Sequence, residues 1–327
     1  MFWIRRHIWI ACFCSLLPLI SGVPGPKEAN ERFEAATTLA NCALKSFATQ
    51  IGAVRSHLEE MARIDQTAIL SQFKFTKVSA IVSHVNGFTL EKYHNGERRA
   101  EFVKKLDENT DVLKKKLQTL ESSMEGLKTP HTLKGNPGPK WIQNNFSAKI
   151  ARIKANVEKF PAHFLDCLSN DEHTKQLSSS NLFTIALEGI GLEIQEVVDQ
   201  LLKVAQKEDD EEEHDSLLDS WRLIRGILVE VKDGPISLAK SKDSTGWDKS
   251  LSAAITNTTF VLKGVAKADT GVPPNLIKKC EPIVKAAKEN GYIVENVLKG
   301  IVQSMEDLKK AFDHFGPKPE SKVQLEE

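Results

Sequence analysis

Apolar residues recur at steps of three and four along most of the chain. From Ala40 they fall at Leu44, Phe47, Ile51, Val54, Leu58 and Met61. That spacing is one stripe on an α-helix, not the alternation of a strand. The stepping returns in Leu113, Leu117, Leu120, Met124, Leu127; in Phe146, Ile150, Ile153, Val157; and in Ile190, Ile194, Val197, Leu201, Val204. It returns again in Leu217, Trp221, Ile224, Leu228, Val231 and in Val294, Leu298, Ile301, Met305, Leu308, Phe312. Residues 67–85 and 247–265 read as helices too, although Thr256, Thr258 and Thr259 weaken the second. Breakers separate the stripes: Pro130, the 135–139 cluster, Gly234-Pro235, Gly246 and the 271–274 run. Ser216 with Asp219 reads as a helix start, Pro161 as a first-turn residue, and Gly316-Pro317 as the end of the last helix. Each stripe stops after about three heptads, short of a sustained coiled coil. The expected fold is all-α, an antiparallel long-helix bundle or stacked helical hairpins.

Two stretches resemble each other. Leu217 opens its stripe 104 positions after Leu113, and Val294 opens its stripe 104 positions after Ile190. Between them Pro130 answers Pro235, Trp141 answers Trp247, the run Phe146-Ser147-Ala148 answers Leu251-Ser252-Ala253, and Cys167 answers Cys280. An internal duplication is expected, with Trp141 and Trp247 as repeat anchors. The expected layout is a signal at 1–22, a helical region at 23–98, one helical unit at 99–206, a second at 207–315 and a flexible tail at 316–327.

The start of the chain changes the picture. Arg5 and Arg6 precede a 13-residue, predominantly apolar run at 8–20, followed by the small residues Ser21 and Gly22. That is the layout of a cleaved secretory signal, and 13 residues rise only about 20 Å as a helix, too short to span a bilayer. A secreted, extracellular chain with no membrane span after signal removal is expected. Removal takes Arg5 and Arg6 and no acid from 44 residues of each sign, leaving 42 basic against 44 acidic side chains. Such a balance argues against nucleic acid as a partner. Three cysteines remain, Cys42, Cys167 and Cys280. They allow one bridge and one thiol, a bridge to another chain, or three buried thiols. Secretion also gives meaning to the sequons at Asn145 and Asn257, both expected exposed on a glycoprotein.

Candidate chemistry is sparse. None of the common catalytic or nucleotide-binding patterns occurs. His163 and Cys167 stand i,i+4 on one helix face, and a buried Cys beside an exposed His is the expected arrangement. Residues 208–215 carry seven acids in eight positions. They lack the alternation and glycine of a calcium loop and read as a solvated linker that feeds acids into the next helix. No metal and no cofactor is expected.

Glu31-Arg32-Phe33, the run Thr38-Leu39-Ala40-Asn41, the 68–73 segment Ala-Ile-Leu-Ser-Gln-Phe, and Lys77-Val78 resemble the WSN domain, found just after the signal peptide in secreted nematode proteins of unknown function. The resemblance covers residues 31–90 and implies no activity. Two function classes follow. The first is a secreted non-enzymatic helical protein, an interaction or structural module whose outer faces bind another protein or a second copy. The second is an extracellular carrier of an apolar ligand held between helices.

Overall fold

The computed structural model describes residues 25–64, 96–125, 139–207, 210–240, 247–265 and 274–316. Among them are eight helices and no strand: α1 (Pro26–Ile64), α2 (Gly96–Glu125), α3 (Pro139–Cys167), α4 (Glu172–Ala205), α5 (Glu211–Lys240), α6 (Trp247–Val265), α7 (Pro274–Glu289) and α8 (Val294–Phe315). The all-α class read from the periodicity is the class observed. The signal at 1–22, the helix at 67–85, the loop at Pro130 and residues 317–327 of the tail lie outside the described residues.

Local chemistry explains most boundaries. Pro26, Pro139 and Pro274 are each the first residue of their helix, where a missing N–H is harmless and the ring pre-sets φ. Other prolines correct the reading of breakers. Pro161 and Pro282 lie inside α3 and α7, and α5 runs through Gly234-Pro235, where a loop was expected. A proline removes one backbone hydrogen bond. In α3 the helix continues because Phe164 and Cys167, beyond the proline, are fully buried.

The start of α5 is also earlier than Ser216. Asp210 Oδ1 accepts the Glu213 N–H at 3.0 Å, which caps the helix before Glu211. Glu211, Glu212 and Glu213 then fill the first turn at the positive end of the dipole. The far end of α7 closes on Gly291 at φ +79°. Its N–H reaches Lys288 O at 2.9 Å while the Tyr292 N–H reaches Ala287 O at 2.8 Å, a Schellman motif that only glycine enters freely.

Helix α4 is the centre. It packs against α1, α3, α5, α7 and α8. Its residues Leu182, Phe183, Ile185, Ala186, Leu187, Gly189, Ile190 and Gly191 are buried around most of the helix, with only Thr184 and Glu188 between them half-buried, as suits a core helix. Its neighbours α3 and α5 run antiparallel to it through short turns. Helix α1 runs parallel to it, since Arg32 meets Ser169 and Asn170, Ser46 meets Ile185, and Thr49 meets Glu193. Antiparallel α8 touches both, and α2 packs only against α3 among the described residues. Edge-on phenylalanine pairs tie the layers: Phe33 to Phe164, Phe47 to Phe160 and Phe183 to Phe312, with centroids 5.7–6.1 Å apart.

The two halves share a packing order. Helix α2 packs on α3 and α3 on α4; α5 packs on α6 and α6 on α8; among the described residues neither first helix touches the last. They differ in that α7 is a separate helix carrying Cys280, whereas Cys167 ends α3 itself.

The tightest approach is between α1 and α4. A Cβ built on Gly189 would lie 2.5 Å from Ser46 Cα and collide with Ser46 Cβ. Gly189→Ala should therefore destabilise by about 1–3 kcal/mol through overpacking. Adding Ser46→Gly should not rescue it, because the Cα itself is in the way. Gly226→Ala, on an open face of α5, should instead stabilise by about 0.5–1 kcal/mol. Urea melts of the three variants against the native chain check the signs.

Candidate functional site

Three polar junctions join the helices of the core. The first lies where α1, α4 and α8 meet. Lys45 Nζ donates to Glu193 Oε2 at 3.1 Å and to Ser304 Oγ at 2.8 Å, while Thr49 Oγ1 donates to Glu193 Oε1 at 3.2 Å. Below them Ser46 Oγ donates to the Ile185 carbonyl, and Gln50 Nε2 donates to Ser46 Oγ at 2.9 Å. Cys42, Gly189 and Ile190 complete a crevice of about 10 Å³, the room of one water molecule. Drug-sized ligands occupy roughly 300–1,000 Å³, so this crevice suits a bridging water and not an apolar cargo.

The second junction is a clamp near the N-terminal end of α1. Arg32 is 7% exposed. Its Nη1 donates to Ser169 O at 3.0 Å and Asn170 Oδ1 at 3.1 Å, and its Nη2 donates to Glu28 Oε1 at 3.2 Å. Its Nε has no hydrogen-bond partner. The guanidinium fork thus fixes the α3–α4 turn against α1. That turn is already ordered by Asp171, whose carboxylate accepts from the Thr174 N–H at 2.9 Å and from the Thr174 hydroxyl. The Thr174 bonds hold the Asp171 carboxyl below its usual range.

The third junction contains His163. Ser178 Oγ donates to Asp166 Oδ2 at 3.0 Å, and His163 Nδ1 stands 3.3 Å from Ser178 Oγ. With the Ser178 proton directed to Asp166, the histidine N–H is the donor to Ser178. This is the reverse of an activated serine, whose proton must go to the imidazole. Ser178 is also only 3% exposed. Burial lowers the His163 pKa from its ordinary 6.5, with Asp166 pulling it up and Lys159 pushing it down. The residue beside it is as expected in part: Cys167 is fully buried, while His163 is half-buried and engaged.

The sequence-derived residues do not converge. Cys42, Cys167 and Cys280 are three unpaired thiols on α1, α3 and α7. Burial raises all three, Cys42 to about 12 with help from Asp307, Cys167 to about 12 and Cys280 to about 11. A thiol so held is protonated and a poor nucleophile at neutral pH. Asn145 lies in α3 and Asn257 in α6; Asn257 is half-buried, where exposure was expected, because the helix turns its neighbour Thr258 fully inward. The side chains of Asn145, Trp141 and Trp247 lie outside the described residues, although both tryptophans stand within the first turn of their helices. Among the described residues no group of three or more His, Cys, Asp or Glu could hold a metal ion. The Arg32 clamp was missed: Glu31-Arg32-Phe33 carries no local sign that its arginine closes a turn 137 residues away.

Replacing Arg32 with Met leaves the Ser169 carbonyl and Asn170 without their donor, and should cost about 1–3 kcal/mol in a urea melt. Thiol labelling at about pH 8 should be slow at all three cysteines in the native chain and complete within minutes in denaturant. Compared with protein-family models, curated proteins and solved structures, the chain matches none.

Proposed function

We propose that the chain is a secreted, non-enzymatic all-helical protein that acts through its outer helix faces, binding another protein or a second copy of itself. The observation that carries this reading is α2. Leu106, Thr110, Leu113 and Leu117 form its buried stripe against α3. Lys104, Lys105, Asp107, Glu108, Asp111 and Lys115 stand exposed around Val112, which is 40% exposed. An apolar spot ringed by mixed charge suits a polar-rimmed protein contact.

Secretion is supported by Arg5, Arg6 and the apolar run at 8–20. No helix among the described residues is long and apolar enough to cross a membrane. Glycosylation at Asn145 and Asn257 belongs to the same reading. The non-enzymatic part is supported by the way the Lys45, Arg32 and Ser178 junctions direct their polar groups at one another. The raised thiols favour a non-covalent assembly over a disulfide-linked one. The same reading takes residues 99–206 and 207–315 as two copies of one unit, supported by their shared packing order.

Native mass spectrometry of the protein purified from culture medium tests it. The expected result is a dimer or a mixed complex whose mass is unchanged by reductant and which Val112→Asp weakens at least tenfold. A monomer at every concentration, with Val112→Asp indistinguishable from the native chain in cell-surface cross-linking, overturns it. A lipid mass released only on denaturation supports the carrier instead.

A further inference from the structure

One end of the bundle gathers ionisable groups from three helices. His314 is half-buried in the last turn of α8, its ring edge-on to Phe315 with centroids 4.8 Å apart. The charges acting on it come from Glu28, Glu31 and Arg32 on α1 and from Lys175 on α4. They are unequally screened. The Arg32 and Lys175 side chains are 9% and 13% exposed, whereas Glu28 and Glu31 are 60% and 56% exposed. A charge inside the protein is felt at full strength, and one in water is largely screened. The two cations already have carboxylates, Glu28 for Arg32 and Glu172 for Lys175. A proton on His314 therefore adds a third positive charge, and the carboxylates that act on it, Glu28 and Glu31, are exposed and screened.

We propose that this cluster is an acid-sensitive latch: neutral His314 lets the last turn of α8 close on α1 and α4, and protonated His314 releases it. That turn covers apolar surface. Phe312 and Phe315 are both buried, and Phe312 packs edge-on against Phe183 of α4. Release uncovers two aromatic rings beside the Arg32 clamp, so acid converts a closed bundle end into a sticky one.

The helix dipole at the end of α8 favours a protonated histidine, yet the balance runs the other way. Burial first, then Arg32 and Lys175, hold His314 below its ordinary 6.5, with Glu31 and Glu28 opposing in part. The folded state thus binds the proton less readily than the unfolded state. The latch is closed above about pH 6.5 and weakens as pH falls through the lowered value.

Hydrogen exchange of the full-length chain at about pH 7.5 and about pH 5, corrected for the intrinsic pH dependence of exchange, tests this. Protection of amides 309–316 relative to the middle of α4 should fall severalfold at the lower pH in the native chain. His314→Gln, neutral at both, should hold its protection, and His214→Gln, in the first turn of α5 at the other end of α4 from Lys175, should behave as the native chain does. No fall in the native chain, or an equal fall in His314→Gln, overturns the proposal. If His314→Gln does not fold, an NMR titration of the native histidines decides. A His314 midpoint below that of exposed His173 supports the latch, and one at or above it overturns it.

Discussion

The distance at which α1 can lie on α4 is set by a single hydrogen atom, the side chain of Gly189. Any Cβ there meets the Ser46 backbone, so every larger residue would push apart two helices that together supply nearly half of the buried apolar residues among those described. Close approach brings the Ser46 hydroxyl onto the Ile185 carbonyl and places Lys45 within reach of both Glu193 and Ser304. Helix α8 can then settle against both. Were α1 an ångström further out, these bonds would break together and leave polar groups buried without partners, which is far costlier than losing an exposed contact.

How much of this could be read from residue order differs by element. Helix α8 is the clearest case: each apolar position in its stripe, from Val294 to Phe312, is buried. Helix α1 is the opposite. Its regular stripe begins at Ala40, but the helix begins 14 residues earlier at Pro26 and packs Ala36, Thr37 and Ala40 tightly against its neighbours. Small residues make close contacts without a strong periodic signal, so the stretch before Ala40 carried no stripe. Helix α4 showed one stripe and buries most of its middle; the density of apolar residues from 182 to 191 was the available sign.

The polar junctions were illegible for a different reason. Arg32 reaches residues 137 and 138 positions away, and no local pattern encodes a partner at that range. The His163 and Cys167 spacing was visible, but its meaning came from Ser178 and Asp166, one of them on another helix. Side-chain types that do chemistry elsewhere here hold helices together, because the Lys45, Ser178 and Arg32 Nη donors each have an acceptor already aimed at them.

The Lys45 to Ser304 bond spans 259 residues, which makes this an unusual helical protein in time as well as in space. Bundles joined by short turns fold quickly because their contacts are local. Here the earliest of the described helices to leave the ribosome belongs in a seam completed by the latest of them. At roughly 5–20 residues per second, α1 waits about 13–50 s for its partner on α8. Through that interval its apolar side is uncovered, so the order of synthesis rather than the stability of the finished bundle sets the period of greatest exposure to misassembly.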